Sequence, residues 1–554
     1  MKALFITAAA LLFSAGAYAA GITIDTSATN TDISAVTGSI TIDGSAIGGG
    51  GGEAAFTAES TPGTTPTATG TDAIGIGDAA VAGDDSGDGA VVAIGASSSA
   101  IGVSSVAIGR YTDAGGANSI AIGGGESDGD SADATGAQSI AIGNDANATA
   151  ARTLAIGFSA NASVIGAVAI GGLEPSANAS YAIAIGNYAD ATGANCIAIG
   201  GHATDASSAD CTASGSIAIG ILTDSIGTDS VALGNGAQAG DATGDNAVLA
   251  IGASSLATGL DSIAIGQNSD ATGSESIAIG GDPVDADSAN AIGSRNVAIG
   301  HKSDTDGTGS VAVGNGAQAT THGAVSVGDS ARATAEDTIS IGQDSQATST
   351  GNIAIGANSA AYTGTYTVAI GKNVSATANN CIAIGGNNVT SDSADCTAAD
   401  SVAIGQHILA DDIGEFAFAS GEFAAQSDAH RSWYVLRNNT TDATQTELFA
   451  DASAGDISVG SDCSMSGFIR IVARRTDADG ETAHYTIEWT VDNNAGTTAL
   501  VGAVSVVTVA EDTAAWTVTA TADNSNDGIN ILVTGEASKT IRWVGAADVT
   551  YVCG

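Results

Sequence analysis

Large apolar and small residues alternate in a five-residue unit, Ser-Ile-Ala-Ile-Gly and its variants, that recurs from Val91 to Gly405. Ile120 and Ile122 flank Ala121, and Ile263 and Ile265 flank Ala264. Alternation at period two marks a strand, with both isoleucines on one face and the alanine on the other. The closing glycines stand at 95, 109, 123, 143, 157, 171, 186, 200, 220, 234, 252, 266, 280, 300, 314, 328, 342, 356, 371, 385 and 405. Of the 20 intervals, 13 are 14 residues, two are 15, one is 18 and four are 20. Fourteen residues could hold two helical heptads, but the local period of two excludes helix. Behind each pentad comes a polar stretch, such as Gln267-Asn268-Ser269-Asp270, and then small residues, here Ala271-Thr272-Gly273. Each unit therefore reads as strand, turn, weaker strand, turn: one coil of a flattened solenoid, with glycine at corners that need positive φ. Coils stacked about 4.8 Å apart would make a rod on the order of 100 Å.

Ordering the backbone of a coil costs more than two buried isoleucines return, so no coil stands alone. The expectation at this level is an isoleucine core inside the coil. The alternate face, carrying Ala and Ser, is expected to let another chain approach closely, which points to a homo-oligomer.

Composition narrows the function. The chain of 554 residues has 76 glycines, 4% aromatics, and 14 Lys+Arg against 60 Asp+Glu, for a net charge of −46. Such charge excludes nucleic-acid binding by bulk phosphate neutralisation and disfavours docking onto anionic lipid. It suits a saline or cation-rich medium outside the cell, where repulsion is screened. An apolar content of 44% argues against disorder. Lys2, the apolar run Ala3 to Phe13 and Ala17-Tyr18-Ala19 read as a secretory signal over residues 1–19. That run is too short to span a bilayer, and no other segment reaches 18 consecutive apolar residues, so no membrane-spanning segment is expected in the mature chain.

Units such as Asn118-Ser119-Ile120-Ala121-Ile122-Gly123 and Glu275-Ser276-Ile277-Ala278-Ile279-Gly280 closely resemble the head repeat of YadA-like trimeric autotransporter adhesins. The resemblance runs over about residues 72–425. It implies left-handed parallel β-rolls that associate as homotrimers and bind host matrix or other surfaces. Such adhesins continue into a coiled-coil stalk and a membrane-anchor strand. No heptad run follows here, and the sequence ends at Tyr551-Val552-Cys553-Gly554, so autotransport by this chain is not expected.

The four 20-residue intervals carry acidic extensions within Glu126 to Asp133, Thr204 to Asp210, Asp282 to Asp287 and Thr390 to Asp395. In two of them cysteines stand at matched offsets, Cys196 with Cys211 and Cys381 with Cys396; the other two have Ser119 with Ala134 and Ser276 with Ala291. Cysteines present or absent together are the pattern of a disulfide within each loop, and export permits oxidation. No histidine or third cysteine shares the spacing zinc requires. Cys463 and Cys553 bracket the C-terminal region as a third pair. Asp128, Asp130 and Asp133, or Asp282, Asp285 and Asp287, could offer oxygen ligands to Ca²⁺. Their spacings differ from loop to loop and match no EF-hand, so solvated loop acids are the preferred reading, with no cofactor or metal assigned.

Composition shifts near Ser427. Trp433, Trp489, Trp516 and Trp543 lie beyond it, as do Arg431, Arg437, Arg470, Arg474, Arg475 and Arg542. Alternating runs at Phe468 to Arg474, Ala483 to Val491, Val501 to Val509, Ala515 to Ala520 and Ile529 to Val533 are separated by turn signals at Asp479-Gly480, Asn493 to Gly496 and Asn526 to Gly528. They predict a small antiparallel β-sandwich or jelly-roll-like domain, with tryptophans in its core. Arg474 to Glu481, Asp492 to Gly502 and Thr534 to Trp543 resemble a terminal module of phage tail-fibre-like virion proteins, which implies a trimeric tip.

The expected organisation is an all-β chain: signal peptide 1–19, a degenerate β segment and Gly/Thr-rich linker 20–71 that includes Gly48 to Gly52, β-roll repeats 72–426, and a terminal module 427–554. The six histidines (His202, His301, His322, His407, His430, His484) form no metal or triad spacing, and no glycine cluster leads into a phosphate-binding helix. Acids are too abundant for any pair to be singled out as catalytic. The expected function is an extracellular, non-catalytic, trimeric fibre that recognises a surface protein or glycan and no nucleic acid. A viral receptor-binding fibre and a structural sheath protein are the alternatives.

Overall fold

The computed structural model describes residues 56–58, 66–69, 71–84, 89–241, 246–389, 393–451, 455–478 and 480–554. The expected signal peptide, most of the segment 20–71 with its glycine cluster, part of the insertion Thr390 to Asp395, and Asp479 lie outside them.

The described chain is all-β and winds into a solenoid of about 24 coils of roughly 14 residues. Each coil gives a three-residue strand, such as Ile140–Ile142, to one long parallel sheet, and a two-residue strand, such as Asn147–Ala148, to a second, narrower one. Register is strict: Ile140, Ala141 and Ile142 pair with Leu154, Ala155 and Ile156, while Asn147 and Ala148 pair with Asn161 and Ala162. Like therefore stacks on like along the rod. The count exceeds the 21 pentad glycines because degenerate units, such as Ile74-Gly75-Ile76 and Phe416-Ala417-Phe418-Ala419, also form coil strands.

The interior reverses one expectation. Alanines from both strands, Ala141, Ala148, Ala264 and Ala271 among them, are fully buried, and the flanking isoleucines face outward, half-buried. The reason is thickness. A Cβ placed on Gly75, which holds the central alanine position, would lie 3.7 Å from Ala82 Cβ on the facing strand. Two methyl groups in van der Waals contact fill that gap, and a branched side chain would overpack it. Serines at the inner corner add to this core. Ser139 Oγ donates to Gly136 O at 2.6 Å, so the buried hydroxyl is satisfied.

The recurring glycine has a steric cause as well as a conformational one. At Gly143 φ is +137°, and a Cβ would meet Gly157 O of the next coil at 2.3 Å. Other corners use left-handed residues with side chains, such as Asp145, Asn268 and Tyr181, at φ of 55° to 58°.

The long sheet turns antiparallel after its last coil. Phe416–Ser420 pairs with Ala429–Thr440, followed across the sheet by Ile541–Cys553, Cys463–Arg475, Thr482–Asn493 and Ser505–Glu511. A second sheet of Gln445–Glu447, Gly528–Thr534, Ile457–Ser458 and Thr517–Asp523 packs behind it. Between them lies a core of ordinary size, including Ile469, Ile471, Ile487, Tyr485, Ile531, Trp516 and Trp543. This is the expected antiparallel module. Of its tryptophans, Trp489, Trp516 and Trp543 are buried, whereas Trp433 stands exposed.

Candidate functional site

The outward isoleucines form two continuous ladders. Ile183, Ile197 and Ile217 stack directly, as do Ile185, Ile199 and Ile219. No segment of the described chain covers this face, and Ile108, Ile219, Ile341 and Ile384 remain more than a third exposed. At the base, Phe416 and Phe418 take over from Val402 and Ile404, and Trp433 stacks on Phe416 with centroids 5.4 Å apart. A contiguous apolar strip of this extent is unusual for an isolated soluble chain and marks a contact surface.

The narrow sheet carries the opposite chemistry. Most of its outward positions are polar, and in-register stacking brings carboxylates together: Asp190, Asp210 and Asp224 are neighbours in successive coils, as are Asp113 and Asp133. The insertions fold as single 3₁₀ turns, Asp128–Asp130, Asp205–Ser207 and Asp285–Asp287. Burial, and then Asp113 and Asp128, push Asp133 up to about 6. Burial, and then Asp224 and Asp190, do the same for Asp210, and burial with Asp285 for Asp270.

The two sets of candidate calcium ligands differ in geometry. Asp282 and Asp287 do converge, but with His301 rather than Asp285; the three ligand atoms lie within 4.8 Å of one another. His301 Nε2 is 3.0 Å from Asp282 Oδ2, and Lys302 Nζ donates to Asp287 Oδ1 at 2.7 Å. The lysine already neutralises one of the two carboxylates. Asp128, Asp130 and Asp133 form no such group among the described residues.

The structure pairs Cys196 with Cys211, Cys381 with Cys396, and Cys463 with Cys553. The first two pairs enclose their acidic insertions, as expected, and lie in the coil interior, where Cys196 and Cys211 take positions that elsewhere hold buried Ser and Ala. The third joins Cys463–Arg475 to the C-terminal strand at a register pair.

Where solenoid meets terminal module, a buried polar network closes the joint. Tyr434 Oη donates to Asp412 Oδ2 at 3.0 Å and lies 2.9 Å from Tyr551 Oη. Ser458 donates to Asp412 through both its backbone N–H and its hydroxyl. Ser432 donates to Glu415, and His430 stacks on Tyr551 at 4.2 Å. Burial, and then the charge of Asp412, hold the Glu415 carboxyl well above its ordinary range.

The front of the terminal sheet continues the plane of the isoleucine face but extends beyond it, since the last coil pairs only with Arg431 to Trp433. Arg431 is bound to Asp548 and lies over the rings of Phe418 and Trp433. Arg437, Arg470, Arg474 and Arg542 stand exposed on the same front. Arg470, Val472 and Arg474 share one face by the alternation of their strand; that Arg542 lies opposite Arg474 depends on long-range register.

Among the described residues no helix is long and apolar enough to cross a membrane. YadA head domain repeats are found across the chain, matched at residues 86–112, 100–125, 134–160, 177–203, 212–237, 242–269, 257–282, 291–317, 306–331, 333–359 and 363–392. No curated protein matches the chain.

Proposed function

With YadA head repeats spread between residues 86 and 392, we propose that the chain forms a trimeric, adhesin-like surface fibre, exported through residues 1–19 and acting by attachment rather than catalysis. The observation that carries this reading is the uncovered isoleucine ladder. Each coil buries only methyl-sized groups within itself, so its largest apolar side chains find cover only on another copy. Three copies meeting through these ladders would leave the polar narrow sheets and acidic turns facing solvent. The head repeat and the solenoid fold are of a structural and adhesive kind. The sequence likeness of the terminal module to phage tail-fibre tips, together with its antiparallel architecture, supports a virion receptor-binding fibre as the second reading; tail genes beside this one would favour it.

Attachment by a trimer is multivalent, so it should exceed that of a single chain by orders of magnitude. Beads coated with the intact protein should adhere to matrix-coated or glycan-coated surfaces. Substituting serine for Ile263, Ile265, Ile277 and Ile279 should release single chains and abolish adhesion. Equal adhesion by assembled and released chains would overturn the proposal.

A further inference from the structure

The basic side chains of the terminal module divide into a paired set and an unpaired, clustered set. In a sequence with 60 carboxylates, three cations of this module find acidic partners. Arg431 pairs with Asp548, Arg475 with Asp477 and Glu481, and Lys539 with Glu481 and Glu536. Arg437, Arg470, Arg474 and Arg542 have no ion pair or side-chain hydrogen bond among the described residues, yet they share one small area of one sheet face. Arg474 stands directly across from Arg542, a like-charge cross-strand pair that destabilises the sheet. In the next row Arg437 faces Val544, which faces Val472; in the row after that, Val435 and Arg470 flank Ala546. The three valines are about half exposed: Val435 57%, Val472 48%, Val544 48%. Trp433, 44% exposed, borders the patch two residues before Val435.

The fold gains nothing from this arrangement. Four unpaired guanidinium groups repel one another, and the aliphatic surface between them stays wet. Local conflict of this kind marks a surface kept for a ligand. The patch also lies beyond the width of the last coil, clear of the isoleucine ladders, because the solenoid pairs only with Arg431 to Trp433. Planar guanidinium forks match sulfate and carboxylate groups, and the valines and Trp433 offer apolar footing to the faces of sugar rings. At physiological ionic strength charges are screened within about 8 Å, so a ligand at this patch meets its local positive charge rather than the distant acidic coils.

We propose that the front of the terminal sheet, through Arg437, Arg470, Arg474 and Arg542, binds an acidic polysaccharide. This names a ligand class for the attachment proposed above and rests on it.

The test uses the full chain on immobilised heparin and on polygalacturonate at physiological salt. The expected result is retention that falls at least tenfold in the variants R470E and R474E/R542E and is largely restored by Lys at the same positions. R110A and R295A, on the solenoid, should bind as the parent does. Circular dichroism and light scattering on each variant separate loss of binding from loss of fold or of assembly. No retention, retention indifferent to these arginines, or equal retention of a DNA duplex would overturn the proposal. Dissociation of the assembly by R470E would also overturn it, since the patch would then be an interface between copies. A chain that binds through these arginines but runs as a single copy would count against the fibre and leave the patch standing.

Discussion

At the scale of single residues, the fold turns on the size of the side chain that points inward. Alternation in the pentad was legible from sequence, and so was the fact that Ile263 and Ile265 share a face. Which face lies inside was not, because hydrophobicity alone favours the larger residue. The 3.7 Å between a Gly75 Cβ position and Ala82 Cβ decides the matter. Leucine in place of Ala264 should therefore destabilise the chain, by about 1–3 kcal/mol as overpacking does. Serine in place of Ile265 should leave the secondary structure of a single chain intact and weaken its association. Thermal melts read with the solution mass check both. A stable Ala264→Leu protein would contradict the inward alanine.

At the scale of the coil, stacking in register makes every residue its own neighbour. For isoleucine that builds a ladder; for aspartate it builds a row of like charges. Burial first, and neighbouring carboxylates second, raise Asp133, Asp210 and Asp270 to about 6, above an unfolded value near 3.9. Their protonation favours the folded coil, a contribution complete below about pH 4 and lost as pH climbs through 6. The solenoid should accordingly melt at a higher temperature at pH 5 than at pH 7, and Asp210→Asn should shrink the difference. An unchanged or lower melting temperature at pH 5 would rule this out. The paired absence of Cys at Ser119/Ala134 and Ser276/Ala291 made the bridges legible, but their place in the coil core was not, since the turn between the positions is set by the fold. Replacing Cys196 and Cys211 together by Ser and Ala should cost about 3 kcal/mol. Denaturant titration measures it, and six free thiols in the unreduced exported protein would remove its basis.

For the whole molecule, the solenoid and terminal module share one sheet and one buried joint. The strand runs of the module were legible from alternation; the joint was not, because Tyr551 lies 117 residues from Tyr434 and Ser458 lies 46 from Asp412. Glu415 is held protonated by burial and by Asp412, so its stabilising contribution is full at acid pH and disappears as pH rises through its elevated value. Proteolysis near Phe423, which is exposed at this joint, should quicken at alkaline pH in the parent and not in Glu415→Gln. Matching alkaline profiles would sink that assignment. The largest claim is that the outward isoleucines are covered by two further copies. Light scattering on the mature protein, at low and high salt, tests it most directly. Three times the chain mass, unchanged by salt, is the predicted result; a single chain mass with the isoleucine ladders bare to solvent would contradict the account.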